Sequence, residues 1–298
     1  MVPRKHKGFL RGLWRSEAAK PEEIKGPLGL NLLRDVPEPL VDFIFVHGLG
    51  GGSRKTWSFS PDPKHYWPKE WLGDDPEFRQ VRIHSFGYRA DWAEMGESVL
   101  NIHDFGNSLL REVEGNPDIR RSKTKIVFVA HSMGGIVIKK AYILAREAPE
   151  LKDLAGRIHT LYFLATPHRG SDLAGLLEKI LRLSFSTKGF VNALRPASET
   201  IASINHSFVR VAGDLRLRSF YETIVTALGL MSVIVVPKYS AILDLANEKC
   251  FASNANHRDV CKFDKQTDPN YKILRNSFTA TIDEIRSECK ASSLKRVE

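Results

Sequence analysis

Six residues, Ala130-His131-Ser132-Met133-Gly134-Gly135, stand between an almost wholly apolar run, Ile126–Ala130, and a stretch of helical periodicity, Ile136–Arg146, that Pro149 stops. An apolar run without alternation is the pattern of a strand covered on both faces, as in a parallel sheet. A serine on so short a strand-to-helix turn is forced into strained backbone angles that expose its hydroxyl. The residues two before and two after it must be small where the turn closes, and Ala130 and Gly134 are small. The helix start also offers unpaired N–H groups and the positive end of a dipole to developing negative charge. A helix-capping serine would need no small residues on both sides.

The rest of the chain repeats this rhythm from about residue 40. Leu40–Val46, Val81–Ser85, His159–Ala165, Leu217–Tyr221 and Val233–Val236 read as further strands. Val99–Val113 and Tyr271–Cys289 carry apolar residues at helical spacing. Alternating strands and helices predict an α/β fold: a mostly parallel central sheet, helices on both faces, and ligands at the C-terminal strand ends. Residues 171–212 break the rhythm. Leu173, Leu176, Leu177, Ile180, Leu181 and Leu183 make an amphipathic helix there, the mark of a helical, lid-like insertion. The reading is one hydrolase-type domain over 27–298, preceded by a basic tail over 1–26.

Composition limits the alternatives. At 298 residues, with 42% apolar and 27% charged side chains, the chain can bury a core without staples. The three cysteines, Cys250, Cys261 and Cys289, form no CxxC pair and read as reduced thiols of an intracellular protein. Scattered histidines and acids without HExxH argue against a metal, and no cofactor is expected. Of the net charge of +9, more than half comes from Arg4, Lys5, Lys7, Arg11 and Arg15. With Phe9, Leu10, Leu13 and Trp14 they suit a mitochondrial presequence or a peripheral contact with anionic membrane, so cytoplasm and mitochondrion both fit. No basic stripe interleaved with aromatics suggests nucleic acid. The longest apolar stretch, Ile224–Val236, is too short to span a bilayer, and the N-terminus lacks the h-region of a secretory signal. Oligomeric state is left open.

A nucleophilic serine needs a base, an acid and an oxyanion site. Of ten histidines only His257 lies beyond residue 220, in the polar loop SNANHRD, where a Ser-acid-His order puts the base. Glu222, ending Ser219-Phe220-Tyr221-Glu222, is the first choice of acid; Asp244 is the alternative, with Glu248 behind it. Met133 N–H is one oxyanion donor. The second comes from His47-Gly48-Leu49-Gly50-Gly51-Gly52, with Leu49 first and Gly50 as fallback. That loop lacks the GK[ST] ending of a phosphate cradle. His47, Gly48, His131 and His168, the last in Ala165-Thr166-Pro167-His168-Arg169-Gly170, are expected to shape the pocket or hinge a lid.

The strings FIFVHGLGG (43–51), WPKEWL (67–72), AHSMGG (130–135), FLATPHRGSDLA (163–174), SFYET (219–223) and NHRDVCKFD (256–264) together resemble a fungal group of lipase-like hydrolases. That group often forms the N-terminal domain of NACHT-type proteins. It is similar to serine-active-site proteins of phospholipid remodelling and, more distantly, to GPI inositol-deacylases. The resemblance covers about residues 26–285. It implies an α/β-hydrolase fold with a Ser132, Glu222, His257 triad, and it favours Glu222 over Asp244. Ala130 stands where glycine is commoner, and no NACHT domain follows in this sequence; a complete protein of this length would be expected to act alone or in trans. The resulting expectation is a serine esterase acting on a lipid-like ester. The alternatives are an acyltransferase or thioesterase on the same triad, and a catalytically silent binding module.

Overall fold

The computed structural model describes residues 24–90, 102–170, 172–184 and 191–294, and all structural statements refer to these. The basic segment 1–16 lies outside them, as do 91–101 and 185–190.

Seven strands form the main sheet: β1 (Gly29–Arg34), β2 (Val41–Val46), β3 (Val81–Gly87), β4 (Lys125–His131), β5 (Ile158–Leu164), β6 (Arg216–Glu222) and β9 (Glu248–Ser253). Their order is β1-β3-β2-β4-β5-β6-β9. Only β1 is antiparallel to its neighbour; the rest of the sheet is parallel. Two short strands, β7 (Thr226–Leu228) and β8 (Met231–Val233), pair as a separate hairpin between β6 and β9.

The helices are α1 (Trp67–Asp74), α2 (Ile102–Gly115), α3 (Pro117–Ser122), α4 (Gly134–Glu147), α5 (Lys152–Arg157), α6 (Leu173–Ser184), α7 (Val191–Val211), α8 (Lys238–Ala241) and α9 (Pro269–Leu294). Side chains of β2 alternate between two cores. Ile44 and Val46 join Leu109 of α2, Ile138 of α4 and Phe208 of α7 on one face. Val41, Phe43 and Phe45 join Trp67 of α1 with Phe278 and Ile282 of α9 on the other. Burial on both faces is why β2 and β4 read as almost wholly apolar runs, and β5 likewise from Leu161 to Leu164. Asp42 is the exception in β2. It is fully buried, and its carboxylate takes Arg82 Nε at 2.6 Å and His84 Nε2 at 2.9 Å, with Thr124 also donating to it. Burial pushes its pKa up, and the bonds from His84, Arg82 and Thr124 outweigh that and hold it below the usual carboxylate value.

Three expectations change. The strand pattern from about residue 40 left out the edge strand β1, and Lys25 O accepts from Arg54 N at 3.0 Å, tying the end of the expected tail to the domain. Val233–Val236 is not a strand of the main sheet. Val233 ends the hairpin, while Val235 and Val236 are buried in irregular chain; burial alone made them read as a strand. The last sheet strand is instead Glu248–Ser253, so Glu248 opens that strand rather than following it. Residues 171–212 supply α6 and α7, the connection from β5 to β6. Of the two, α7 packs on α4 as a layer of the fold, and α6 reaches the strand ends.

Candidate active site

Sheet order brings the chemistry together. β2 and β4 are in register at Val46 and Ala130, so the glycine loop after β2 leaves beside the serine turn after β4. β6 and β9 pair Glu222 with Ser253, which sets the acid beside the loop carrying His257.

Ser132 has φ of +52°, a left-handed conformation that a side chain takes only under strain. Its N–H donates to Leu164 O at 2.9 Å, and Thr166 Oγ1 donates to its carbonyl at 3.0 Å, so the strained turn is held from both ends. The need for smallness at Gly134 has a different source from the one expected. A Cβ on Gly134 would lie 2.4 Å from His47 O and 2.5 Å from Val46 O, so it is the end of β2 that leaves no room. Gly48 is tight for the matching reason: a Cβ there would sit 3.0 Å from both His131 O and Ser132 Cβ.

His257 is buried, and its Nε2 lies 3.0 Å from Ser132 Oγ. Its Nδ1 lies 3.5 Å from Glu222 Oε1, within ion-pair reach but longer than a formed hydrogen bond. Both His257 Nδ1 and Glu222 Oε2 are buried without a hydrogen-bond partner, so closing that gap satisfies the imidazole and engages the carboxylate. Val236 N–H donates to Glu222 Oε1 and fixes the carboxylate from behind. The other two acids are elsewhere. The Asp244 side chain is 73% exposed and pairs with Arg169 at 3.4 Å. Glu248 caps a loop, accepting from Leu243 N, Asp244 N and Ser219 Oγ.

His131 Nε2–H donates to His257 O at 2.8 Å and anchors the backbone of the histidine loop. Desolvation, then the neighbouring His257, push its pKa down to about 3, so it stays neutral beside any charge that forms on His257. His47 donates from Nδ1 to Gly48 O at 2.9 Å and accepts at Nε2 from Tyr88 N at 3.1 Å, stacked on the Tyr88 ring. It shapes the glycine loop from beneath rather than facing the pocket. Gly50 N–H is committed to Ala90 O at 3.2 Å, which removes it as an oxyanion donor. Among the described residues Leu49 N–H and Met133 N–H have no such partner.

His168 is not at the pocket either. It is buried behind the site, where Lys139 Nζ lies 2.5 Å from its Nδ1 and 2.6 Å from Asn205 Oδ1. This cluster ties α4 and α7 to the loop after β5. Burial holds Lys139 and His168 well below their ordinary values, His168 further lowered by Lys139.

A pocket of about 380 Å³ opens on Ser132, His257, His131 and Leu49. Ile180, Leu183 and Ser184 of α6 wall one side. Lys55, Arg258 and Lys262 give it a cationic rim with no carboxylate. Lys55 Nζ also donates to Gly50 O at 3.1 Å, and Arg258 to Leu183 O. Sequence reasoning missed this rim, although Arg258 and Lys262 sit within five residues of His257. Among the described residues no group of histidines, cysteines and acids could hold a metal ion, and no helix is long and apolar enough to cross a membrane.

Comparison with known proteins bears on the family and the fold. Residues 40–178 match the family described as "Putative serine esterase (DUF676)". Protein SERAC1 of Bos taurus is 31% identical over 240 residues, 74% of this chain and 36% of that protein. Its counterpart in Danio rerio is 28% identical over 252 residues, 78% of this chain and 37% of that protein. The chain thus spans little more than a third of these relatives. An esterase of Pyrobaculum calidifontis superposes with a TM-score of 0.52 at 12% identity, covering 89% of this chain and 88% of that one. A carboxylesterase of Nitrososphaera gargenis gives 0.51 at 11%, covering 86% and 94%. The fold is therefore that of the α/β-hydrolases, and the chain belongs to the family of the SERAC1 proteins, with a region that matches the serine-esterase family model.

Proposed function

We propose that this lipase-like hydrolase cleaves carboxylic esters of a lipid-like kind through an acyl-enzyme on Ser132. The observation that carries the reading is the 3.0 Å approach of His257 Nε2 to Ser132 Oγ, on a serine held at positive φ. His257 takes the Ser132 proton as Oγ attacks the ester carbonyl, then returns it to the leaving alcohol. Glu222 holds the Nδ1–H tautomer and stabilises the imidazolium. The N–H groups of Leu49 and Met133 receive the oxyanion, each such donor being worth ~10²–10³ in rate. Water, activated by His257 in turn, releases the acid.

Ile180 and Leu183 of α6 support an apolar acyl chain in the pocket, with α6 as its cover. The cationic rim disfavours a positively charged alcohol portion. The basic tail adds peripheral attraction to anionic membrane.

The test is fluorophosphonate labelling of wild type, Ser132→Ala and His257→Ala, with a p-nitrophenyl ester chain-length series on the same proteins. Labelling and turnover are expected in wild type and lost in both variants, with rates rising with acyl length until the pocket is filled. A folded wild type that neither labels nor turns over any ester of the series would refute the reading.

A further inference from the structure

The segment that joins the acid strand to the rest of the molecule carries no charge from Thr223 to Pro237. Much of it is nevertheless in solvent. Ile224 and Val225 at its start are exposed, as is Met231 on β8, and Leu230 at the turn is fully exposed. Gly229, at φ of +64°, makes the β7–β8 turn tight, so Leu230 and Met231 form a convex tip. A two-stranded hairpin with an apolar tip does not stabilise itself, and exposed apolar side chains grouped this way mark an interaction site.

We propose that this hairpin inserts its tip into an anionic lipid surface. Two features favour lipid over a second copy of the chain. The most exposed side chain stands at the apex of a turn, which suits insertion into the acyl boundary and not the flat self-complementary face of a two-fold dimer. The flank carries a cation: Lys238 follows the segment, its Nζ 5.0 Å from the Tyr221 ring centroid, and beside it stands exposed Tyr239, whose backbone carbonyl accepts from Arg169 Nε at 2.9 Å. An apolar tip on a hairpin followed by an exposed aromatic and the cation Lys238 has the composition of an interfacial anchor. Arg169 itself is paired with Asp244, so Lys238 is the cation that the anionic surface would meet.

The hairpin is also continuous with the active site. Val236, just past β8, donates to Glu222, and Thr226 Oγ1 on β7 accepts from His257 N at 3.4 Å. Docking would thus set the pocket mouth against the surface that holds its substrate, a consequence that rests on the lipid-like reading of the ester.

The experiment is co-sedimentation of the full chain with phosphatidylcholine vesicles, with and without phosphatidylserine, comparing wild type, the double variant Leu230→Asp/Met231→Asp, and Lys238→Gln. Turnover of soluble p-nitrophenyl butyrate and a thermal melt serve as controls on the same proteins. The double variant is expected to bind both vesicles about tenfold more weakly or worse, with the melt and soluble turnover unchanged. Lys238→Gln should weaken binding only where phosphatidylserine is present. A double variant that sediments like wild type overturns the proposal. So does a wild-type dimer in light scattering that the double variant turns into a monomer, which assigns the tip to a second copy. Failure of wild type to hydrolyse any ester would strike the proposed function, while the sedimentation result still decides the hairpin.

Discussion

Gly134→Ala places one methyl group between the serine turn and the end of β2. The added Cβ would lie 2.4 Å from His47 O and 2.5 Å from Val46 O, where real Cβ contacts essentially never fall under 3.0 Å. Something must move by roughly half an ångström or more. β2 is paired on both sides, by β3 and β4, and all six of its residues are buried, so it does not yield. The start of α4 moves instead and takes Ser132 Oγ with it, away from His257 Nε2 and the Leu49 N–H. Since about 1 Å of misplacement costs ~10² in rate, the expected loss in kcat is about 10- to 100-fold. KM for a short ester should change little, and overpacking should cost about 1–3 kcal/mol of stability. Gly115→Ala is the control: it sits at the end of α2 with no atom within 4 Å of the new methyl. It should leave activity intact and be neutral or gain up to ~1 kcal/mol from helix propensity. The assay is p-nitrophenyl butyrate turnover with the rate of fluorophosphonate labelling, beside urea unfolding to count folded protein. Wild-type kcat in a folded Gly134→Ala protein would refute the argument that β2 positions the serine.

Two further outcomes follow from the same geometry. Glu222→Gln should lower kcat by ~10³–10⁴ with the fold intact, whereas Asp244→Asn should stay within about twofold; equal losses would remove Glu222 as the orienting acid. In acid, His131 and His168 remain neutral in the fold while their unfolded forms take up protons below about pH 6.5. Their depressed values therefore leave stability whole above that pH and withdraw it as pH falls, over the range down to about 3 for His131. For His131 the loss approaches about 1.4 kcal/mol per pH unit, about 1.5 kcal/mol in all between pH 6.5 and 5, and His168 acts in the same direction. His168→Gln should flatten that slope in denaturant titrations at several pH values, and an unchanged slope would place the titration elsewhere.

The strands buried on both faces were legible because their burial leaves few polar positions, Asp42 being the one in β2: Ile126–Ala130 and Leu40–Val46 agree with the structure almost residue for residue. Edge strands were not. β1 exposes Leu32 and starts in a Pro- and Gly-rich stretch, and β9 reads Glu-Lys-Cys-Phe-Ala-Ser, so neither carries the apolar signal of a central strand. Val233–Val236 misled in the opposite sense, since apolar density reports burial and not hydrogen-bonded pairing. At the site, chain order was enough to bring Ser132, Glu222 and His257 to one point. The commitment of Gly50 to Ala90, the withdrawal of His168 behind the pocket, and the cationic rim depend on which way loop atoms face, and spacing along the chain does not encode that.

The positive φ of Ser132 reverses the usual bond between losing function and losing stability. Glycine enters that region without the penalty of roughly 1–2 kcal/mol that a side chain incurs there. A display or expression library screened only for folded yield would therefore enrich glycine at position 132 and discard the hydroxyl while appearing to improve the protein. Under the proposed function, any directed evolution of this scaffold has to score turnover at every round, because the substitution that removes the proposed nucleophile is one that folding alone would reward.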